Sequence, residues 1–253
     1  MPPAADIPRG PQNHRTVDRV TQILEEVTYR PGITFAELAR ALDAPKSSVH
    51  GFVRGLLATG WLYETQKRFY VGPAIYGLTL ASGQMQAGSV TQGDLQRLHE
   101  ATKLAVFLGV QAGDHLIYVS VAGTDAQTGF SARTNIRREL LDTAGGKALL
   151  AEKSDSERDS YLRRRGPDEA HFVTRFLGEY RDIKATRVAT NLKYGDAQFA
   201  MATVVRNQFG EVVSEVTLVG PTADALPRAA KLRKNLLAFV DSLAPQQAPA
   251  RVR

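Results

Sequence analysis

The stretch from Ile33 to Trp61 constrains this chain most, because it holds two helical patterns separated by a break that neither can cross. Thr34 with Glu37 three residues on is a capping box, and Phe35, Leu38, Ala39 and Leu42 recur at helical spacing as one buried stripe. Asp43-Ala44-Pro45 then ends the helix, since the residue before a proline avoids the helical region while proline suits the start of the next helix. In that next helix Val49, Phe52, Val53, Leu56 and Leu57 face inward. Two short helices joined this tightly must meet at an angle around a shared core.

The other face of the second helix carries Lys46, Ser47, His50, Gly51 and Arg54. A helix entering the DNA major groove needs this combination, since small residues let its backbone approach while Arg and Ser reach base edges or phosphates. On an isolated helix the same face would read as merely solvated, but its neighbours reverse that preference. Upstream, Val17, Val20, Ile23, Leu24 and Val27 form one face of a first helix, with Thr16 as its expected cap and Pro31-Gly32 as its stop. Downstream, Gly60 ends the third helix, and WLY and FYV read as two strands joined by the turn ETQKR, which carries Lys67 and Arg68. Residues 14–72 are therefore expected to form a winged helix-turn-helix, with the hairpin as a wing over the phosphate backbone.

The text ITFAELARALDAPKSSVHGFVRGLLATGWL followed by RFYVGPAIYGL resembles the IclR family of bacterial transcription regulators, most specifically in the PKSSVH turn into the third helix. The resemblance implies that this helix reads an operator, with base or phosphate contacts from Lys46, Ser47, Ser48, His50 and Arg54. Gly51 and Phe52 depart from the family's usual residues. Dimers or tetramers are implied as well, which suits palindromic double-stranded half-sites.

From Leu104 the pattern changes to short β-type runs separated by glycine and polar turns, so a second domain is expected over 94–244, with a linker helix at 73–93 that loosens near Gly88. The proline-rich and polar segments 1–13 and 245–253 read as disordered tails. A helix around Gln92 to Lys103, the paired strands LAVFLGVQ and LIYVSVAG, and later strands and helices indicate an α/β domain on an antiparallel sheet. Within ELLDTAGGKALLAE, Gly145 and Gly146 precede Lys147 at a helix start, where backbone N–H groups and the helix dipole favour a carboxylate. Close packing explains the two glycines equally well, and Leu141 and Ala148 break the spacing of a phosphate loop.

The IclR resemblance continues more weakly to about Leu243, through TAGGKALLAE, AQFAMATVV and NQFGEVVSEVTLVGP. It implies a GAF-like effector-binding domain whose pocket lies between the glycine-containing helix start and the sheet. Carried over, the pocket residues are Ala144, Gly145, Gly146, Ala200, Thr217 and Val219, with Phe130 and Arg133 on a loop above. In ATRVATNLKYGDAQFA, Thr190 and Asn191 stand where relatives have an acidic run, and Ala200 stands near a cysteine position. Without acid and thiol the pocket is expected to be more apolar. Phe130 and Phe199 would line it, pointing to an aromatic or otherwise hydrophobic acid as effector.

The whole chain thus reads as an α+β two-domain protein, a ligand-responsive DNA-binding regulator of a catabolic operon; the alternative is a constitutive architectural DNA-binding protein whose C-terminal domain only oligomerises. The net charge of +6 agrees with a polyanionic partner without deciding it. The absence of cysteine excludes disulfides, thiolate metal sites and a cysteine nucleophile. No apolar run reaches the roughly 18 residues of a spanning helix, and MPPAADIPRGPQNHR lacks a signal peptide's apolar stretch, so a cytoplasmic protein without membrane association is expected. His14, His50, His99, His115 and His171 are scattered, and neither HExxH nor a nucleophile elbow occurs, so no enzyme, cofactor or metal is expected. The clusters Arg137-Arg138 and Arg163-Arg164-Arg165 lack interleaved aromatics and read as solvated charge.

Overall fold

The computed structural model describes residues 14–82, 90–124 and 137–243, which form two compact units, Met1–Met85 and Gln86–Arg253. The expected tails, the middle of the expected linker at 83–89, and Phe130 and Arg133 lie outside the described residues.

The first unit runs α1 (Arg15–Tyr29), β1 (Ile33–Thr34), α2 (Phe35–Ala41), α3 (Lys46–Ala58), β2 (Leu62–Thr65), β3 (Arg68–Val71) and α4 (Pro73–Ser82). α1 starts one residue earlier than its expected cap: His14 precedes the helix without a side-chain cap, and Thr16 lies inside the first turn. The capping box of α2 is present, with the Glu37 N–H donating to Thr34 Oγ1 at 3.4 Å and the Thr34 N–H donating to Glu37 Oε2 at 2.8 Å. One core gathers Ile23 and Val27 of α1, Leu38 of α2, and Val49, Val53 and Leu56 of α3 with Leu62 and Phe69 of the hairpin. Phe52 and Leu57 sit at its margin, half-buried. The strands form a small sheet in the order β1-β3-β2, and the register Thr65↔Arg68 leaves Gln66 and Lys67 as a two-residue turn. Both turn residues are left-handed, at φ +50° and +59°, which is the turn whose twist matches that of a hairpin.

The second unit contains α5 (Gln92–Thr102), β4 (Ala105–Ala112), β5 (His115–Ala122), β6 (Arg137–Glu139), α6 (Ala144–Glu152), α7 (Asp155–Arg163), α8 (Ala170–Thr186), β7 (Ala189–Lys193), β8 (Gln198–Arg206), β9 (Val212–Pro221), α9 (Thr222–Ala225) and α10 (Ala229–Leu243). Its six strands lie in the order β6-β5-β4-β9-β8-β7, every pair antiparallel. Successive strand residues point to opposite faces. Phe107, Leu116, Ala202 and Val219 pack under α6 and α8 with Leu150 and Phe176. Val106, Met201, Val216 and Leu218 pack on the other side against Leu95 and Leu98 of α5 and Leu232 and Leu236 of α10. The sheet is covered on both faces, which is why β4, β8 and β9 read as nearly continuous apolar runs. The expected α+β arrangement, a winged helix-turn-helix followed by an antiparallel-sheet unit, is the one observed.

The start of α6 is seated closely on its surroundings. Thr143 caps it, its Oγ1 accepting from the Gly146 N–H at 3.0 Å. A Cβ at Gly146 would lie 2.2 Å from the backbone oxygen of Leu140 and 2.4 Å from its Cα, atoms that cannot rotate away. Gly146→Ala should therefore destabilise the protein by roughly 1–3 kcal/mol, the cost of overpacking, despite alanine's better helix propensity. Denaturant unfolding checks this, and an unchanged midpoint would show that the backbone yields freely.

Candidate functional site

In the first unit the inward stripe of α3 leaves Lys46, Ser47, Ser48, His50, Gly51 and Arg54 all exposed. The His50 ring stands edge-on to Phe35 of α2, centroids 5.9 Å apart, so it marks the flank of the face rather than its centre. A methyl group added at Gly51, or at Gly55 one turn on, would meet nothing within 4 Å. Each glycine costs about 1 kcal/mol relative to alanine in a helix. Nothing inside the unit requires that cost. On the hairpin, Lys67 occupies the exposed tip, whereas Arg68 reaches back and donates from Nη1 to the Gly32 carbonyl at 2.8 Å. Arg68 thus braces the wing against the turn after α1, and Lys67 is the better-placed cation for an outside partner.

The second unit holds a small cavity between the start of α6 and the sheet. Five of the expected residues line it: Ala144, Asn191, Ala200, Thr217 and Val219. Asn191, Ala200 and Val219 share one row across β7, β8 and β9. Tyr118, Arg138, Thr143, Lys193 and Gln198 complete the lining and were not anticipated. Gly145 and Gly146 do not line it; Gly145 lies against Glu215 and Gly146 against Leu140. Phe199 and Thr190 also fall elsewhere. Each is adjacent in sequence to a lining residue, and strand alternation sends it to the opposite face: Phe199 is buried in the core against α5 and α10, and Thr190 is exposed. Phe199 is therefore not part of the wall, and seven of the ten lining residues carry a polar group, although apolar surface still makes up most of what faces the cavity.

Arg138 is not solvated charge: its side chain is 12% exposed and lines the cavity 3.9 Å from Asp142. Lys193 pairs with the same Asp142 carboxylate. Burial lowers the Lys193 pKa, and the hydrogen bond to Asp142 opposes that shift. Asn191 donates from Nδ2 to the Asp142 carbonyl at 3.0 Å, while its buried Oδ1 has no hydrogen-bond partner among the described residues. Thr143 and Ala144 bring the positive end of the α6 dipole to the same place. The volume open to a water centre is about 20 Å³, room for about one water, so a larger guest requires side chains to move. Of the other arginines expected to be solvated, Arg137 and Arg163 are exposed, whereas Arg164 and Arg165 pair with Asp114 at 3.0 and 2.7 Å.

Beside this cavity lies Glu215, fully buried, its Oε2 accepting from Thr217 Oγ1 at 2.5 Å and its Oε1 without a hydrogen-bond partner among the described residues. Two glycines make room for it. A Cβ at Gly145 would lie 2.4 Å from its carboxyl carbon, and one at Gly109 would lie 2.3 Å from Oε1. Burial pushes the Glu215 carboxyl up to about 8, with the Thr217 hydrogen bond pulling the other way, so it is mostly protonated at neutral pH. Burial, with Glu215 nearby, also holds the Tyr118 hydroxyl above the ordinary phenol range. No sequence motif marks Glu215; the only hint is an acid inside the apolar run VVSEVTLVG.

Among the described residues no group of three or more His, Asp or Glu side chains is placed to hold a metal, and no helix is long and apolar enough to cross a membrane.

A carboxyl whose pKa is raised on folding gives stability that is present below its unfolded value and is lost as pH rises through the folded value. For Glu215 that window runs from 4.5 to about 8. Glu215→Gln keeps the shape and removes the titration. Its melting temperature should gain steadily on the parent's across that window, and parallel curves would show that Glu215 does not titrate there.

Two family models match the chain: the IclR helix-turn-helix domain over residues 16–66, and the bacterial transcriptional regulator IclR C-terminal domain over residues 81–245. The HTH-type transcriptional regulator BhcR of Paracoccus denitrificans is 30% identical over 141 residues, 54% of this chain and 50% of that protein. The chain spans about half the length of the curated relatives it matches. Among solved structures, an IclR transcriptional regulator from Alicyclobacillus acidocaldarius superposes with a TM-score of 0.67 at 17% identity, covering 92% of this chain and 98% of that one. An IclR homologue from Microbacterium hydrocarbonoxydans, solved in complex with 4-hydroxybenzoate, superposes with a TM-score of 0.66 at 18% identity, covering 90% and 98%. These solved structures share the fold, and with the two matched domains, which together take in most of the sequence, the chain belongs to the IclR family of bacterial transcriptional regulators.

Proposed function

We propose that this protein is a DNA-binding regulator that recognises a symmetric double-stranded operator through α3, and that a small organic acid bound beneath α6 sets its operator affinity. The observation that carries the DNA reading is the open space around Gly51, on a face otherwise made of Lys46, Ser47, Ser48, His50 and Arg54. A glycine that the fold does not need is explained by close approach of a groove wall or phosphate backbone. Lys67 at the wing tip reaches a neighbouring phosphate, and Arg68 holds the wing in place. One such helix covers only a few base pairs, so the working form is a homodimer or homotetramer.

For the acid, support comes from Arg138, Lys193 and the α6 start around one cavity. The hydroxybenzoate complex of the Microbacterium homologue is consistent with an acid at a fold of this kind. Asn191, Gln198 and Thr217 then hydrogen-bond the rest of the molecule, which is released unchanged. The genes controlled are those that consume this acid.

Operator duplexes selected by the purified protein from a random-sequence pool provide the test. Gly51→Ala should raise stability by roughly 0.5–1 kcal/mol while weakening binding to the selected duplex. Arg54→Ala should cost roughly 1–3 kcal/mol of affinity and relax specificity at one position. Parent-like affinity in both variants would remove α3 from the interface. A separate thermal-shift panel of organic acids tests the cavity. Failure of every acid to stabilise the protein would favour a constitutive DNA binder whose second unit only oligomerises.

A further inference from the structure

Asn191 brings to the cavity wall a hydrogen-bond acceptor that the described residues leave unused. The residue lies on β7 opposite Ala200 and is only 5% exposed. Its Nδ2 donates to the Asp142 carbonyl at 3.0 Å, and that contact fixes which way the amide faces. A carbonyl oxygen only accepts, so the group set against it must be the NH2, and the amide oxygen takes the other side. That oxygen, Oδ1, is buried without a hydrogen-bond partner among the described residues.

The threonine hydroxyls of the wall have given their protons elsewhere. Thr217 Oγ1 donates to Glu215 Oε2 at 2.5 Å, and Thr143 Oγ1 donates to the main-chain carbonyls of Glu139 and Leu140 at 3.2 and 3.3 Å. Lys193, two residues along β7 on the same face, is taken by the Asp142 carboxylate. A buried acceptor left unpaired carries its whole desolvation cost, so its proton has to come from a molecule inside the cavity. The cavity has room for about one water, and a ligand hydroxyl fills the same space with the same kind of proton. An ammonium group also donates, but it would stand among Lys193 and Arg138, whose like charge repels it; a neutral hydroxyl meets no such cost.

We infer that the acid bound in this cavity is a hydroxy acid, whose hydroxyl donates to Asn191 Oδ1 while its carboxylate is met by Arg138 and the start of α6. This rests on the organic-acid reading proposed above and narrows it to a chemical class. It makes Asn191 a specificity-determining residue. A neutral amide suits that task better than a carboxylate, because it accepts the hydroxyl proton without repelling the acid.

The test is calorimetry on the full chain with matched sets of acids at one pH and ionic strength. Lactate is set against propionate, 2-methoxypropionate and alanine, 3-hydroxybutyrate against butyrate and 3-methoxybutyrate, and 3-hydroxybenzoate against benzoate and 3-methoxybenzoate. A hydroxy acid found first in the thermal-shift panel is compared with its own deoxy form and methyl ether in the same way. At least one hydroxy acid should bind roughly ten-fold or more tightly than both its unsubstituted acid and its methyl ether, which keeps the oxygen but has no proton to give. Asn191→Leu should bring that ratio close to one and leave the unsubstituted acid's affinity largely unchanged, a pattern that general damage to the cavity would not give. Melting curves report whether the variant is folded, and the methyl-ether comparison needs no variant. Four results overturn the hydroxyl inference and leave the acid site standing: an unsubstituted acid or methyl ether binding as tightly as its hydroxy acid, alanine binding as tightly as lactate, a ratio undiminished in folded Asn191→Leu, or binding confined to acids without a hydroxyl. If no acid of the sets or of the panel binds, the organic-acid reading itself falls, and this inference with it.

Discussion

The second unit depends on how closely the start of α6 can lie against its neighbours. Gly146 rests on the backbone of Leu140, Gly145 on the carboxyl of Glu215, and Thr143 caps the helix from outside. Larger residues at 145 and 146 would lift the helix from the sheet and remove the upper wall of the cavity. The close approach also shuts Glu215 away from water, which is why it holds its proton near neutral pH and adds no second carboxylate charge to that of Asp142 beside Arg138 and Lys193. The two explanations weighed for the glycines, packing and anion binding, therefore describe different residues. Gly145 and Gly146 serve packing, and Thr143 and Ala144 reach the cavity.

The first unit follows a different logic, in which the informative glycine touches nothing. Val49, Val53 and Leu56 hold α3 by one stripe, so the opposite face is free of structural duties. Gly51 and Gly55 cost helix stability and receive no packing in return. Where Gly146 is explained by a 2.2 Å approach inside the molecule, Gly51 calls for a surface outside it. Arg68 shows the same distinction in reverse, a basic residue in a position suited to DNA contact that already serves the fold through Gly32.

Much of the fold was legible because it rests on local signals. The Thr34–Glu37 capping box, the Pro45 break and the helical stripes are set within a few residues of sequence, and the structure has them where the pattern puts them, except that Val17 at the start of the first stripe is exposed. The cavity was legible only in part. Thr190 with Asn191, and Phe199 with Ala200, were each assigned to one pocket, although neighbours in a strand cannot share a face. Strict alternation from Asn191 would have excluded Thr190 and admitted Lys193, and from Ala200 it would have excluded Phe199 and admitted Gln198. Arg138 was beyond such reasoning. Its place depends on how β6, at one edge of the sheet, comes to share a cavity with β7 of the other edge, a long-range arrangement that no local pattern encodes.

The central claim is that an acid under α6 and DNA on α3 are energetically linked, which requires the ligand to prefer one operator-binding state over another. The most direct measurement is operator affinity, by fluorescence anisotropy on the selected duplex, across a titration of an acid that stabilises the protein, with Lys193→Ala in parallel. The account predicts that saturating acid changes the operator Kd by roughly 5- to 150-fold, in either direction, and that the variant needs far more acid to reach the change. An operator Kd that stays constant while the acid demonstrably saturates its site would contradict it, because a ligand with equal affinity for both states shifts nothing.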